Sequence, residues 1–349
     1  MDGFRECLSY DDVLLVPRFS SLESRSQTDI GWMGYSMPVA TAPMDLITTP
    51  EMVRYFYANK MLATIHRYFR SINEQINFIQ ECIDESGSEN EHDFLNSVYI
   101  SVGTIKKYRE WIDALSYCGI RRYLIDLAHG DCQLCLDTIR YIKNLDSANK
   151  VIAGNVATKS GFNRLQNAGA DGVRCGIGGG HSCTTRINTA FGVPTLSTLQ
   201  DCAAVKKDGV MMIACGGIKS TGDIVKAMAV GADVVILGKM LAGTDLAGGI
   251  CYDKDMSITY PEYDVRYREY YGMASRKARD GILVKGSVEG AVGLVPYTGT
   301  TESLFDDIRM NLHAALSYGG ADNWGDFRRQ VKMIRISNSS WNESNSHLL

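Results

Sequence analysis

The chain has 349 residues, of which 45% are hydrophobic and 22% charged, with a formal net charge of −4. These values describe a soluble globular protein long enough to bury a large core, and a slightly acidic chain with no long basic run is a poor nucleic-acid binder. No run of about 18 apolar residues occurs, which excludes a helical membrane span, and the charges in MDGFRECLSYDD (1–12) leave no apolar core for a signal peptide. The expectation is a cytoplasmic protein whose ten cysteines are free thiols.

Short apolar, β-rich runs recur along the chain, each closing on small or polar residues. In order they are MPVATAPMD (37–45), MLATIHRY (61–68), VYISVGT (98–104), RYLIDLAHG (122–130), KVIAGNVAT (150–158), DGVRCGIGGG (171–180), VMMIACGGI (210–218) and ADVVILGKMLAG (232–243). Segments of helical spacing lie between them, such as PEMVRYFYANK (50–60), SGFNRLQNAGA (160–170) and TGDIVKAMAVGA (221–232). Continuous apolar runs alternating with helices indicate parallel strands buried on both faces. Eight such units predict an α/β fold, a single (β/α)8 TIM barrel spanning 1–337. Residues 251–300 interrupt the repeat after the eighth strand and are predicted to form a short flap over the active site. Residues 338–349 (NSSWNESNSHLL) read as a disordered tail.

In such a barrel the active site lies at the C-terminal ends of the strands. Those ends carry Met44 and Asp45, His66, Asp126 with His129 and Gly130, Asn155, the loop GIGGGHSCTTR (176–186), Gly216 with Gly217, and Gly238 with Lys239. Glycine loops let backbone N–H groups approach an anion closely. One such loop merely ends a strand as readily as it binds a ligand. Three in succession, after strands six, seven and eight, point to a phosphorylated ligand. Cys183 closes the first of them beside Thr184 and Thr185. A thiolate there is a strong nucleophile; a small buried cysteine is an equally good reading from chemistry alone.

Other features carry less. Cys132 and Cys135 form a single CxxC, poor grounds for zinc without a second pair. His66 and His129 suit ligand contact or structural hydrogen bonding equally. The methionines of VMMIAC read as core. YDVRYREYYGM (263–273) is a binding segment or a charged surface, and nothing local marks Glu289 as catalytic.

GIGGGHSCTTR followed by GVPTLSTLQDCA (192–203) resembles the catalytic loop of the IMP dehydrogenase and GMP reductase family. The likeness extends in order through LSYDDVLLVPR (8–18), APMD (42–45), DLAHG (126–130), IAGNVAT (152–158), GGIKSTGDIVKAMAVGAD (216–233), LGKMLAGT (237–244), YYGMAS (270–275) and EGAVGLVPYTG (289–299). Between the branches, residues 66–104 leave no room for the regulatory modules that IMP dehydrogenases usually insert. The segment ASRKARDGILVKGSV (274–288) is short and lacks the Arg-Tyr pair of their long flap. Both favour the GMP reductase branch. The resemblance then implies NADPH-dependent reductive deamination of GMP to IMP and ammonia through a cysteine–purine adduct. Cys183 would be the nucleophile, with Thr185 and Glu289 the proton-transfer pair. Met44, His181, Ser182, Cys215, Gly216, Gly217, Gly238, Lys239, Tyr270, Met273, Ala274 and Gly290 would hold the nucleotide. Asp126, Ala128, Asn155, Arg174 and Gly176 would face the nicotinamide. A potassium ion would sit on the carbonyls of Gly178, Gly180 and Cys183. A homotetramer is the family's usual assembly.

Two departures stand out. Cys215 replaces an aspartate that grips the ribose hydroxyls in the family, and His181 replaces a serine on the phosphate. A thiol cannot stand in for a two-oxygen carboxylate. They leave open two alternatives: an IMP dehydrogenase without regulatory modules, or a reductase acting on a deoxy or modified guanine nucleotide.

Overall fold

The structure, a computed structural model, describes residues 3–84, 91–260, 264–279 and 290–344. Eight parallel strands form its centre: β1 (Val39–Thr41), β2 (Thr64–Ile65), β3 (Tyr99–Val102), β4 (Arg122–Asp126), β5 (Lys150–Val156), β6 (Gly172–Cys175), β7 (Met211–Cys215) and β8 (Val234–Leu237). From β2 to β8 each pairs with its sequence neighbour, and β8 pairs with β1. At the last seam a parallel bridge joins Ala40 to Leu62, just ahead of β2, so the sheet curls round to a near-complete barrel. All eight strands fall within the apolar runs expected from the sequence. β3, β6 and β8 are buried along their whole length, as strands covered by helices on one side and by barrel interior on the other must be.

The helices start where side chains can satisfy the first free N–H groups. Thr49 accepts from Met52 N at 3.2 Å, with Pro50 at the first helical position of Pro50–Ala58. Thr158 accepts from Gly161 N at 3.1 Å ahead of Lys159–Asn167. Ser220 and Asp223 cap Thr221–Ala229 reciprocally. That box also takes the Lys219 N–H on Asp223 Oδ2 at 2.9 Å, which anchors the end of the loop after β7.

Residues 251–300 are more than a flap. Cys251–Tyr252, Ile258–Thr259, Tyr267–Tyr271 and Val292–Pro296 build a four-stranded antiparallel sheet beside the barrel mouth. The ends of the chain also meet, Val13–Val16 pairing antiparallel with Lys332–Arg335.

The expected disordered tail needs correction over 338–344. Asn338–Glu343 form a helix capped by Ser337, and the Trp341 ring lies 5.0 Å from Lys226 Nζ and 5.9 Å from Lys219 Nζ. A polar composition hid one aromatic with two cations to cover. Residues 345–349 lie outside the described residues.

Candidate active site

The strand ends open into a cavity of about 500 Å³, within the range of small-molecule sites. Its floor is made by backbone meeting backbone. Gly176, after β6, has φ +136°, and a Cβ there would lie 2.0 Å from the carbonyl oxygen of Cys215 at the end of β7. Gly216 has φ +97°, and its Cβ would lie 2.9 Å from Gly180 N. No side chain fits at either place, so the loops after β6 and β7 interlock only because both are glycine.

Cys183 sits on this floor, half-buried, its Sγ 3.2 Å from the hydroxyl of Thr185. Its N–H donates to Gly180 O at 3.1 Å, a tight turn that turns the thiol-bearing residue back towards the cavity. The sheet beside the mouth fixes the other side of that loop. Gly290 bridges Cys183, and Ala291 N donates to Ser182 O at 2.8 Å. Glu289, the expected partner of Thr185, lies outside the described residues.

Charge in the cavity is lopsided. Arg67, Arg174, Arg186, Lys219 and Lys239 line it, against Asp11 and Asp126, in a chain whose net charge is −4. Lys219 is paired with Asp11 at 2.5 Å. His181 completes the basic side: partial burial, then repulsion from Lys239 and Lys219, holds its pKa below the ordinary imidazole value. A bound dianion would reverse that balance. Tyr270 closes this end, its ring centroid 6.3 Å from that of His181 and its hydroxyl hydrogen-bonded to Ser182; burial pushes its pKa up.

Arg174 is nearly enclosed. Its Nη1 donates to Asp126 Oδ1 at 2.6 Å and its Nη2 to Cys215 Sγ at 3.4 Å. Burial alone would raise the Asp126 carboxyl, but Arg174 and Arg67 outweigh it and hold the pKa below the usual carboxylate value. Asn155 donates to Gly176 O at 2.8 Å. Two buried polar atoms here lack partners among the described residues: Asn155 Oδ1 and Arg174 Nε. An acceptor and a donor left without partners on adjacent strands are of the types that would complement an amide, such as the carboxamide of a nicotinamide.

The cavity brings together nearly all the expected site residues. Met44, Asp126, Ala128, Asn155, Arg174, Gly176, Gly178, Gly180, His181, Ser182, Cys183, Thr185, Cys215, Gly216, Gly217, Gly238, Lys239, Tyr270, Met273 and Ala274 all line it. Gly290 does not, but packs behind Gly272, which does.

The histidines divide. His66 is buried and stacked on Phe69 at 4.2 Å; its Nδ1 accepts the Tyr68 N–H at 3.1 Å, and burial pushes its pKa down to about 3. Its role is structural. His129 is exposed and does not line the cavity. Arg67 and Tyr68, the next residues after His66, do line it. Their place at a strand end was the signal that could have marked them. Ser9, Tyr10 and Asp11 also reach the cavity from the N-terminal segment, which no strand-end argument would select. Cys132 precedes the helix Gln133–Leu145 without a side-chain capping bond and Cys135 is buried in the helix; no cluster able to hold a metal through His, Cys, Asp or Glu exists among the described residues.

The family model described as IMP dehydrogenase / GMP reductase domain matches residues 7–347. The chain belongs to that family. A GMP reductase of Leishmania major is 38% identical over 253 residues, covering 71% of this chain and 51% of that protein. The chain thus spans about half the length of that relative. A GMP reductase of Vibrio vulnificus is 30% identical over 347 residues, 94% of each chain. An inosine-5'-monophosphate dehydrogenase of Nitrosopumilus maritimus is 26% identical over 477 residues. A solved structure of a point variant of GMP reductase from Trypanosoma brucei, in complex with guanosine 5'-monophosphate, superposes with a TM-score of 0.86 over 99% of both chains at 22% identity. That likeness shows the barrel fold. No helix among the described residues is long and apolar enough to cross a membrane.

Proposed function

We propose that the protein is a GMP reductase, converting GMP to IMP and ammonia with NADPH. The observation that carries this reading is the half-buried Cys183 thiol beside the Thr185 hydroxyl, on the floor of a cavity lined by five Arg and Lys side chains. The names of relatives aligned along most of the chain support it.

The nucleotide phosphate binds at the basic side, where Lys239 and His181 meet the glycine loops. The base then lies over Cys183. Its sulfur bonds to C2 of the purine, and the 2-amino group takes a proton and leaves as ammonia. Thr185 passes that proton, with Glu289 as its source; an amine departs readily only when protonated. The reduced nicotinamide supplies the hydride that C2 receives. The C–S bond then breaks, its electron pair returning to Cys183 as thiolate, and IMP is released. The unpartnered Asn155 Oδ1 and Arg174 Nε would hold the carboxamide of the nicotinamide, which would supply the hydride. Gly180 O keeps a lone pair after accepting the Cys183 N–H, so it and the carbonyls of Gly178 and Cys183 suit a potassium ion that orders the loop. A cytoplasmic homotetramer is the proposed working form.

The test is loss of reduced-nicotinamide absorbance with GMP and NADPH in potassium buffer, beside a sample holding IMP and NAD. The expected result is NADPH oxidation with IMP and ammonia formed in equal amounts. Cys183→Ala should abolish turnover and keep GMP binding by calorimetric titration. NADH formation from IMP without GMP reduction, or an active Cys183→Ala enzyme, would overturn the proposal.

A further inference from the structure

The cavity is well supplied with cations for a phosphate and has few carboxylates for a sugar among the described residues. Cys215 ends β7 and directly precedes Gly216 and Gly217. A nucleotide with its phosphate on that loop and its base at Cys183 therefore carries its sugar past Cys215. A ribose presents two neighbouring hydroxyl donors, and the strongest complement is a carboxylate with both oxygens open.

Two carboxylates line the cavity among the described residues, and both already hold a cation. Asp126 is held by Arg174 at 2.6 Å and by Arg67 at 3.4 Å. Asp11 gives Oδ2 to Lys219 at 2.5 Å, which leaves it without both oxygens free for a diol. Cys215 offers one sulfur, a weak acceptor, which already takes the Nη2–H of Arg174 at 3.4 Å. Arg174 is itself only 6% exposed, with Nε unpartnered, so this wall of the cavity presents donors where a diol needs acceptors.

We propose that the site reads its nucleotide through phosphate and base and not through the sugar diol, so that 2'-deoxyguanosine monophosphate is a substrate on a par with GMP. Cys215 is then the specificity-determining residue. The inference rests on the reductase reading of the same cavity.

Binding and turnover separate the two claims. Calorimetric titration of the full chain with GMP and with 2'-deoxyguanosine monophosphate should give dissociation constants within about threefold of each other. The two kcat/KM values should agree within about tenfold. Cys215→Asp should favour GMP over the deoxynucleotide by roughly ten- to a hundredfold, the effect lying in KM and in the dissociation constant and not in kcat, as expected for hydrogen bonds to a charged acceptor. Cys215→Ser, which adds no carboxylate, should leave the ratio near one and keeps the comparison available if the aspartate variant does not fold. A wild-type preference for GMP above about a hundredfold in affinity or kcat/KM overturns the inference and leaves the reductase reading intact. Equal binding without turnover of either nucleotide overturns the reductase reading and supports the sugar-blind site. Failure of both nucleotides to bind overturns both.

Discussion

Replacing Arg174 by methionine keeps much of the side-chain volume and removes the cation that Asp126 was folded around. The ion pair is tight, at 2.6 Å, with side chains 7% and 14% exposed. Two opposite charges about 4 Å apart attract by about 4 kcal/mol at an effective dielectric near 20. Deleting one partner of a buried pair typically costs about 3–5 kcal/mol, because the other charge stays behind unpaired. Arg67 remains with Nε 3.4 Å from Asp126 Oδ2, so the loss belongs at the lower end, about 3 kcal/mol. The pH dependence follows from the direction of the shift. Asp126 has a folded pKa below its ordinary value, so its contribution is fully present above about pH 4 and is lost as pH falls through the folded value. The variant should therefore be less stable than wild type at pH 7, with the gap closing below about pH 4. Equilibrium urea unfolding at both pH values measures it. Arg174→Met combined with Asp126→Asn should lose less than Arg174→Met alone, since no charge is left behind. An Arg174→Met protein within about 0.5 kcal/mol of wild type at pH 7 would refute the account of this pair.

Gly176→Ala should cost at least about 1–3 kcal/mol through its φ of +136°, and should also weaken nucleotide binding, because the new Cβ lies 2.0 Å from Cys215 O and forces the two loops apart. Gly293→Ala, with nothing within 4 Å of its Cβ, should change stability by less than about 0.5 kcal/mol; thermal unfolding with and without GMP compares them. Trp324→Ala should lose about 3–5 kcal/mol in urea unfolding. It empties a fully buried site, removes an edge-on contact with Phe327 at 5.5 Å and strips Ile30 O of an indole donor at 2.9 Å. A loss under about 1 kcal/mol would mean that the site collapses around the missing ring.

Composition, the period of apolar runs and the glycine loops were sufficient for the barrel and for the end of it that opens into the cavity; by chemistry alone Cys183 stayed an even choice between nucleophile and buried thiol, and Thr185 entered through the resemblance. Those features are local: a strand buried on both faces must be apolar throughout, and a loop that meets another backbone must be glycine. The order of motifs carried the family. Single-residue placements next to a strand end were less secure. His66 was as good a candidate as Arg67, and the choice rests on Phe69, which stacks on the imidazole and draws it out of the cavity. Glu289 is legible only by resemblance.

What tertiary structure alone decided concerns partners distant in sequence. Asp126 is an acceptor in the chain but is spent in the fold, because Arg174 and Arg67 reach it from other strand ends. Asp11 joins the cavity through Lys219, 208 positions away. Asn338–Glu343 gain a helix where composition suggested none, with Trp341 over Lys226 and Lys219. A sequence states which groups a chain owns and how each prefers its own backbone. Which of those groups remain open to a ligand depends on pairings across the barrel, and these are settled only when distant strand ends converge on one cavity.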